Sequence, residues 1–400
     1  MSVANLKPDY NFKYFLILLQ AVIKGEAAPK PQEDVDWNVI YEISLAHSLA
    51  SMLYYAIEQM ADEDKPRGDF MPYLRQMYQE QLVTDINLTV ETERILSLLS
   101  SKGIRCLPFK GINTKADYPV PHLRSMTDVD ILCDMDKRLE IEKIFLSNGY
   151  VKENVGEKDT SYRKEEILHY EMHNMLVDES SPAYDYFEKI WERVEFDDDP
   201  LVCRMTLEDT YIFMLEHLAN HLQCGGAGLR MYLDVYLFMK NHKESLNRAY
   251  VGKILDEIKL SDFEKATLKI CRNLFSGEEE IDFTSPAAEF LLNSSTFGRT
   301  RVAFVTDALK NKGASSARNG ISKILSKLFP PLKWMRLRFI AVDKVPVLYP
   351  VFVVVHWIDR LFISKNVSTA NIDGYFVSDT SAQAVELLGV LESLGLKERI

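Results

Sequence analysis

Asp128 and Asp130 stand two residues apart in the apolar run LRSMTDVDILC. On a β-strand that spacing sends both carboxylates from one face, with about 7 Å between the Cα atoms. Two acids so placed reach one or two hard cations, and ions about 3.5 to 4 Å apart can activate an attacking oxygen and neutralise a leaving pyrophosphate. The residue types therefore point to phosphoryl transfer. The plainer alternative is a solvated edge strand that carries acids.

A second polar set lies in ILHYEMHNML, where His169, Glu171 and His173 alternate with Leu168, Tyr170 and Met172 and so share one strand face. Glu171 is the natural partner of the two aspartates. Three converging acids concentrate a negative charge that bound cations make tolerable, and oxygen ligands suit magnesium, with manganese as its alternative. Joint zinc ligation by His169 and His173 is disfavoured, because strand residues four apart are about 13 Å apart at Cα.

Lys110 and Gly111 close the apolar segment IRCLPF and open the short helical run INTKADY. Glycine permits close backbone approach and helix-start amides favour a phosphate, so a triphosphate fits this turn, with Lys110 adding charge. Arg124 offers a fork of donors for the same phosphates or, equally, a salt bridge to a neighbouring acid. In LEDTYIFMLEHLANHLQC, His217 and His221 lie one helical turn apart. They either line the nucleotide or acceptor cleft or are satisfied groups at a packed interface; the zinc-protease motif is absent, since no Glu follows the first His. Arg230 and Asp234, also one turn apart, read as an ion pair on a helix packed near the site, with Asp234 as a catalytic base the lesser alternative.

Taken together, Lys110-Gly111, Arg124, Met126, Asp128-x-Asp130 and Leu132 resemble the signature of the uncharacterised nucleotidyltransferase family within the polymerase-beta-like superfamily. The stretch 167–176 resembles that family's third-carboxylate strand, and Glu216, His217, His221, Arg230 and Asp234 resemble its following helices. The resemblance is good over roughly 90–240. It implies an α+β nucleotidyltransferase fold with a mixed β-sheet, in which Asp128, Asp130 and Glu171 are catalytic and hold Mg2+. Lys110, Gly111, Arg124, His173, His217, His221 and Arg230 then belong to the nucleotide site. Where the superfamily has Gly-Ser, this chain has Gly111-Ile112, so the phosphate-touching hydroxyl is missing.

The elements that must position these residues follow from periodicity. Residues 1–100 form a helical N-terminal region, with helix-like runs in YNFKYFLILLQAVI, VIYEISLAHSLASMLYYAIEQM and LRQMYQEQLVTDINLTVETERILSLLSSKG, broken at 25–36 and 61–72. Residues 101–199 alternate strands and helices as the catalytic core; DKRLEIEKIFLSNGY is a helix ending at Gly149, and strands follow around SYRKE and ILHYEMHNML. Residues 200–400 return to helices, including SDFEKATLKICRNLF, SPAAEFLLNSS and SAQAVELLGVLESLG. Within them, 345–362 is apolar but interrupted by Pro346, Pro350 and His356, short of the roughly 20 apolar residues of a span. It is expected to be a buried segment, with surface attachment to a membrane or partner as the alternative. The preceding Lys323, Lys327, Lys333, Arg336, Arg338 and Lys344 read as a solvated basic face or, paired with it, a contact for anionic lipid.

Composition bounds the rest. Of 400 residues, 47% are hydrophobic, and the net charge is −12. That argues against nonspecific coating of nucleic acid and for a small-molecule or protein acceptor. Five scattered cysteines without metal-type pairs read as reduced, and the N-terminus lacks signal-peptide features, so a cytoplasmic location is expected. The sequence thus predicts a magnesium-dependent enzyme that moves a nucleoside monophosphate from an NTP to a hydroxyl or phosphate. A non-catalytic nucleotide- or partner-binding module is the alternative. A metal hydrolase built on His169, His173, His217 and His221 ranks last.

Overall fold

The computed structural model describes residues 10–278, 329–358 and 388–399, apart from Glu157, Asp197, Gly225 and Pro331. Four helices come first: α1 (Tyr10–Lys24), α2 (Trp37–Ala46), α3 (Ala50–Glu58) and the long α4 (Phe70–Ser101). The run VIYEISLAHSLASMLYYAIEQM is two helices, because the backbone at Ser48 turns left-handed with φ +55°. Asp36 caps α2 by accepting a hydrogen bond from the Asn38 amide.

The mixed sheet follows. Its strands are β1 (Cys106–Phe109), β2 (Val129–Cys133), β3 (Val151–Val155), β4 (Asp159–Lys164) and β5 (Leu168–His173), with α5 (Gly111–Thr114) after β1 and α6 (Arg138–Ser147) after β2. Spatial order is β1-β2-β5-β4-β3, and only the β2 to β5 pairing is parallel. Helix α6 ends as expected at Gly149, whose φ of +83° a side chain would resist.

Strand parity divides the sheet into two faces. Cys106, Val129, Ile131, Cys133, Tyr162, Leu168, Tyr170 and Met172 pack with Leu88, Ile95 and Leu99 of α4 and Ile141 and Phe145 of α6. Phe145 stacks on Tyr162 at 4.4 Å between ring centroids. The opposite face carries Leu107, Phe109 and Leu132, which join a larger cluster with residues of α1 to α3 and of the later helices. Asp130, Glu171 and His173 lie on this second face, as the alternation of residues 106–109, 129–133 and 168–173 requires.

After a short α7 (Tyr184–Phe187) and the strand pair β6 (Glu195–Phe196) and β7 (Cys203–Arg204) come α8 (Leu207–Cys224), α9 (Leu229–His242), α10 (Arg248–Glu257) and α11 (Ser261–Phe275). Buried residues of α8 and α9 share one cluster with α1 and α3, so helices from both ends of the chain close over the second sheet face. Further along lie α12 (Leu332–Arg338), α13 (Ile340–Lys344) and α14 (Tyr349–Ile358), and residues 388–393 are helical again. The expected burial of 345–362 does not hold over its described part, 345–358: Val345, Val347, Val351 and Val354 are exposed, and among the described residues the segment packs on the small cluster of Met335, Val342 and Val353. The helix expected over SPAAEFLLNSS, the first seven residues of SAQAVELLGVLESLG (381–387), and Lys323 and Lys327 lie outside the described residues, while 388–393 of the latter run are helical as expected. No described helix is long and apolar enough to cross a membrane. Cys106, Cys133, Cys203 and Cys271 are buried free thiols.

Candidate active site

Parallel pairing of β2 with β5 sets Asp130 directly opposite Glu171. His173, two residues along the same face, donates to Asp130 Oδ1 at 2.7 Å and lies 3.5 Å from Glu171 Oε2. Ligand atoms of Asp130, Glu171 and His173 all fall within 4.8 Å of one another, the one such group among the described residues. Asp128 sits just before β2, half-buried and outside that tight group. His169, on the same strand, lies 3.8 Å from Glu153. The four histidines considered for a hydrolase centre therefore do not form one cluster among the described residues.

Lys110 reaches the group from the end of β1. Its Nζ donates to Asp130 Oδ1 at 2.6 Å. Its backbone adopts φ +56° and ψ −130°, a conformation that costs a non-glycine residue on the order of 1–3 kcal/mol and recurs at functional sites. Thr114 Oγ1 holds the turn by donating to the Lys110 carbonyl at 2.8 Å. Gly111 begins α5 beneath Arg124 and Met126; a Cβ there would stand 2.6 Å from Arg124 Nη1 and 2.8 Å from Met126 Sδ. Gly111→Ala is accordingly expected to destabilise the fold by about 1–3 kcal/mol through overpacking, measured by urea denaturation. A stability unchanged from wild type would show that the neighbouring side chains yield.

Electrostatics divide the acids. Burial works against the Asp130 charge, but Lys110 and His173 outweigh it and hold its carboxyl well below the ordinary range. Asp128 goes the other way, raised first by burial and then by repulsion from Asp130 and Glu171. Lys110 and His173 both rise despite burial, because Asp130 and, for His173, Glu171 stabilise their charged forms.

Arg124 is anchored on Asp234. Its Nε and Nη2 both donate to Asp234, at 3.0 and 2.8 Å, and Tyr118 donates to the same carboxylate at 2.8 Å. The expected Arg230 to Asp234 ion pair is thus replaced by an Arg124 to Asp234 pair, since Arg124 reaches the carboxylate with a two-pronged approach from another segment. Arg230 Nη1 donates to the Ser125 carbonyl at 2.7 Å, while its buried Nε makes no hydrogen bond. Burial and the neighbouring Arg124 lower the Arg230 pKa, the mark of a guanidinium whose charge is poorly compensated.

Two cavities open on either side of these groups. One, of about 290 Å³, is lined by Gly111, Arg124, Thr127, Asp128, Asp130 and Arg230, with Met205, Met214 and Met231 on its apolar wall. The other, of about 260 Å³, is lined by Lys158, Asp159, Glu171, His173, Glu216 and Arg399 among mainly polar residues. Lys110, Phe213, His217 and His221 border both. His217 stacks on Phe213 with centroids 5.7 Å apart and meets His221 edge-on at 4.5 Å. Burial, then nearby Lys110, pushes the His217 pKa well down and that of His221 to about 4.

These imidazoles are therefore neutral near pH 7. Because the folded pKa of His221 lies below the unfolded value of about 6.5, its contribution to stability is full above that pH and is lost as pH falls toward 4. Titration by NMR is expected to give the His221 ring a midpoint near 4; a midpoint above 6 would contradict the burial.

Sequence reasoning missed Asp159, Glu216 and Arg399 as cavity residues and Phe213 as a shared wall. A signal existed on α8, where Phe213, Glu216, His217, Asn220 and His221 recur at helical spacing along one stripe. Nothing local marked Arg399, which pairs with buried Glu216 at 2.6 Å across the fold.

Comparison with known proteins gives one family. Residues 33–276 match the model of a family described as uncharacterised nucleotidyltransferase. No curated protein and no solved structure matches.

Proposed function

Since this chain belongs to the uncharacterised nucleotidyltransferase family, we propose that it transfers a nucleoside monophosphate from an NTP to a hydroxyl or phosphate of a small-molecule or protein acceptor in a magnesium-dependent reaction. The observation that carries this reading is Asp130 set opposite Glu171 on parallel strands, with Asp128 close enough to feel both charges. Two carboxylates and an imidazole within 4.8 Å are a donor set that fits a divalent cation. Asp130 and Glu171 would hold it, with Asp128 or His173 beside them. Bound there, magnesium supplies neutralisation of phosphate charge and polarisation of the reacting oxygens.

The chain's own residues account for the rest. The 290 Å³ cavity takes the nucleotide: Lys110, the start of α5 and Arg230 meet the phosphates, and the methionine wall suits a base. Arg124 acts at one remove, held by Asp234 so that it positions Gly111 and the cavity wall. The acceptor enters from the polar 260 Å³ cavity, which brings its hydroxyl to Glu171. Glu171 accepts the hydroxyl proton as the oxygen bonds to the α-phosphorus. The α–β bridging bond breaks, and pyrophosphate leaves with the bonding pair. Neutral His217 and His221, at the junction of the cavities, add no positive charge beside Lys110.

Arg230 offers a direct test. An uncompensated buried cation is costly, and an anion in the cavity removes that cost. Arg230→Met is expected to weaken magnesium-dependent binding of a non-hydrolysable triphosphate by about 10- to 100-fold in calorimetry while leaving thermal stability unchanged or higher. Absence of triphosphate binding to the wild-type chain would reject the reading. A second reading, a nucleotide-binding module without catalysis, draws on Gly111-Ile112 in place of Gly-Ser and on Lys110 bonded to Asp130. Tight triphosphate binding with no pyrophosphate release across an acceptor screen favours it.

A further inference from the structure

Segment 329–358 carries a face that its own small core leaves uncovered. Val353 and His356 of α14 are buried, whereas Val347 is 78% exposed and Val351 and Val354 are each 58% exposed. Val351, Val354 and Val355 follow one another at three and one residues on α14, which places them along a single helical stripe, and Val347 is exposed in the 3-10 turn Pro346–Leu348 that leads into it. Beside the stripe in sequence, Arg336 and Lys344 are exposed cations. Residues 323–344 hold six bases against one acid, Asp343, in a chain whose net charge is −12. That acid is engaged by Arg138 of α6, which also donates to the Arg336 carbonyl at 3.2 Å.

We propose that this face docks on an anionic lipid bilayer, with the valines entering the acyl boundary and Arg336 and Lys344 resting at the headgroups. Charge complementarity selects this occupant: the segment is basic while the chain as a whole is acidic, so an anionic surface attracts the segment against the chain's net charge. Geometry agrees, since no described helix can span a bilayer, and a short helix with an apolar stripe and flanking cations lies in the interface plane. The stripe is β-branched aliphatic throughout, without the Trp, Tyr or Arg anchors that dominate protein hot spots.

The test is flotation of the full chain with phosphatidylcholine vesicles and with vesicles containing about 30% phosphatidylglycerol. Binding is expected to the anionic vesicles only and to fall as salt rises. The pair Val351→Asp with Val354→Asp, and separately Arg336→Glu with Lys344→Glu, should each reduce it about tenfold or more, with thermal stability and triphosphate binding as in wild type. Equal binding to both vesicle types, or binding to neither, overturns the proposal. So does a wild-type dimer in light scattering that the valine pair dissociates, which would assign the stripe to a second copy of the chain. None of these outcomes depends on whether the catalytic reading is correct.

Discussion

Asp130→Asn is expected to lower magnesium-dependent pyrophosphate release by about 10²- to 10³-fold and also to weaken the fold, whereas Asp128→Asn should lose comparable activity with no loss of stability. The difference lies in what each carboxylate balances. Asp130 is 5% exposed at its side chain and is bonded to both Lys110 and His173, so neutralising it deprives both groups of their carboxylate. Removing one partner of a buried charged set costs about 3–5 kcal/mol, and the lower end applies here because Lys110 keeps 24% exposure and His173 can shed its proton. Asp128 has the reverse balance: burial and repulsion from Asp130 and Glu171 already raise its pKa, so an amide there relieves strain between like charges. Thermal denaturation and a pyrophosphate assay on the two variants check both halves. Equal stability losses at 128 and 130 would contradict the charge assignment, and wild-type pyrophosphate release from either variant would remove the catalytic one.

Asp234→Ala is expected to be among the most damaging single changes in the helical part, destabilising by about 3–5 kcal/mol. The Asp234 carboxylate takes two hydrogen bonds from Arg124 and one from Tyr118, and the Arg124 and Asp234 side chains are 10% and 9% exposed. Without it Arg124 and Arg230 remain as neighbouring buried cations, and Arg124 loses the anchor that holds it over Gly111. Replacing both members of the pair, Arg124→Met with Asp234→Leu, should cost much less than the sum of the single losses, because no charge is left unpaired. Urea denaturation of the two single variants and the double gives the coupling directly. Additive losses would show that the pair contributes little beyond packing.

How far the sequence reaches can be seen at particular residues. Asp130, Glu171 and His173 were legible as sharing one face because strand alternation is local: once Val129 and Ile131 are apolar, Asp130 must face the other way, whereas Asp128 precedes the strand and alternation does not place it. The same holds for α6 and its stop at Gly149, and for the first helices, where periodicity and left-handed glycine act within a few residues. The helix break at Ser48 was less legible, since a left-handed backbone falls by preference on Gly, Asn or Asp and not on serine. Helix periodicity also marked Arg230 and Asp234 as one turn apart, yet it could not say that Asp234 would be claimed by Arg124 from another segment.

By itself, then, the sequence determined which strand side chains share a face, that a turn at Lys110 and Gly111 joins a strand to a short helix, and an α+β alternation flanked by helices. Tertiary structure alone decided that β5 lies beside β2 in a register that sets Glu171 opposite Asp130, that Lys110 bonds to that aspartate, and that Phe213, His217 and His221 of α8 border two cavities. It also decided that the valines of α14 stay in solvent. The physical reason is range: backbone geometry fixes the direction of a side chain from its immediate neighbours, while strand pairing, ion-pair choice and burial are competitions among groups far apart in the chain, settled only when those groups meet.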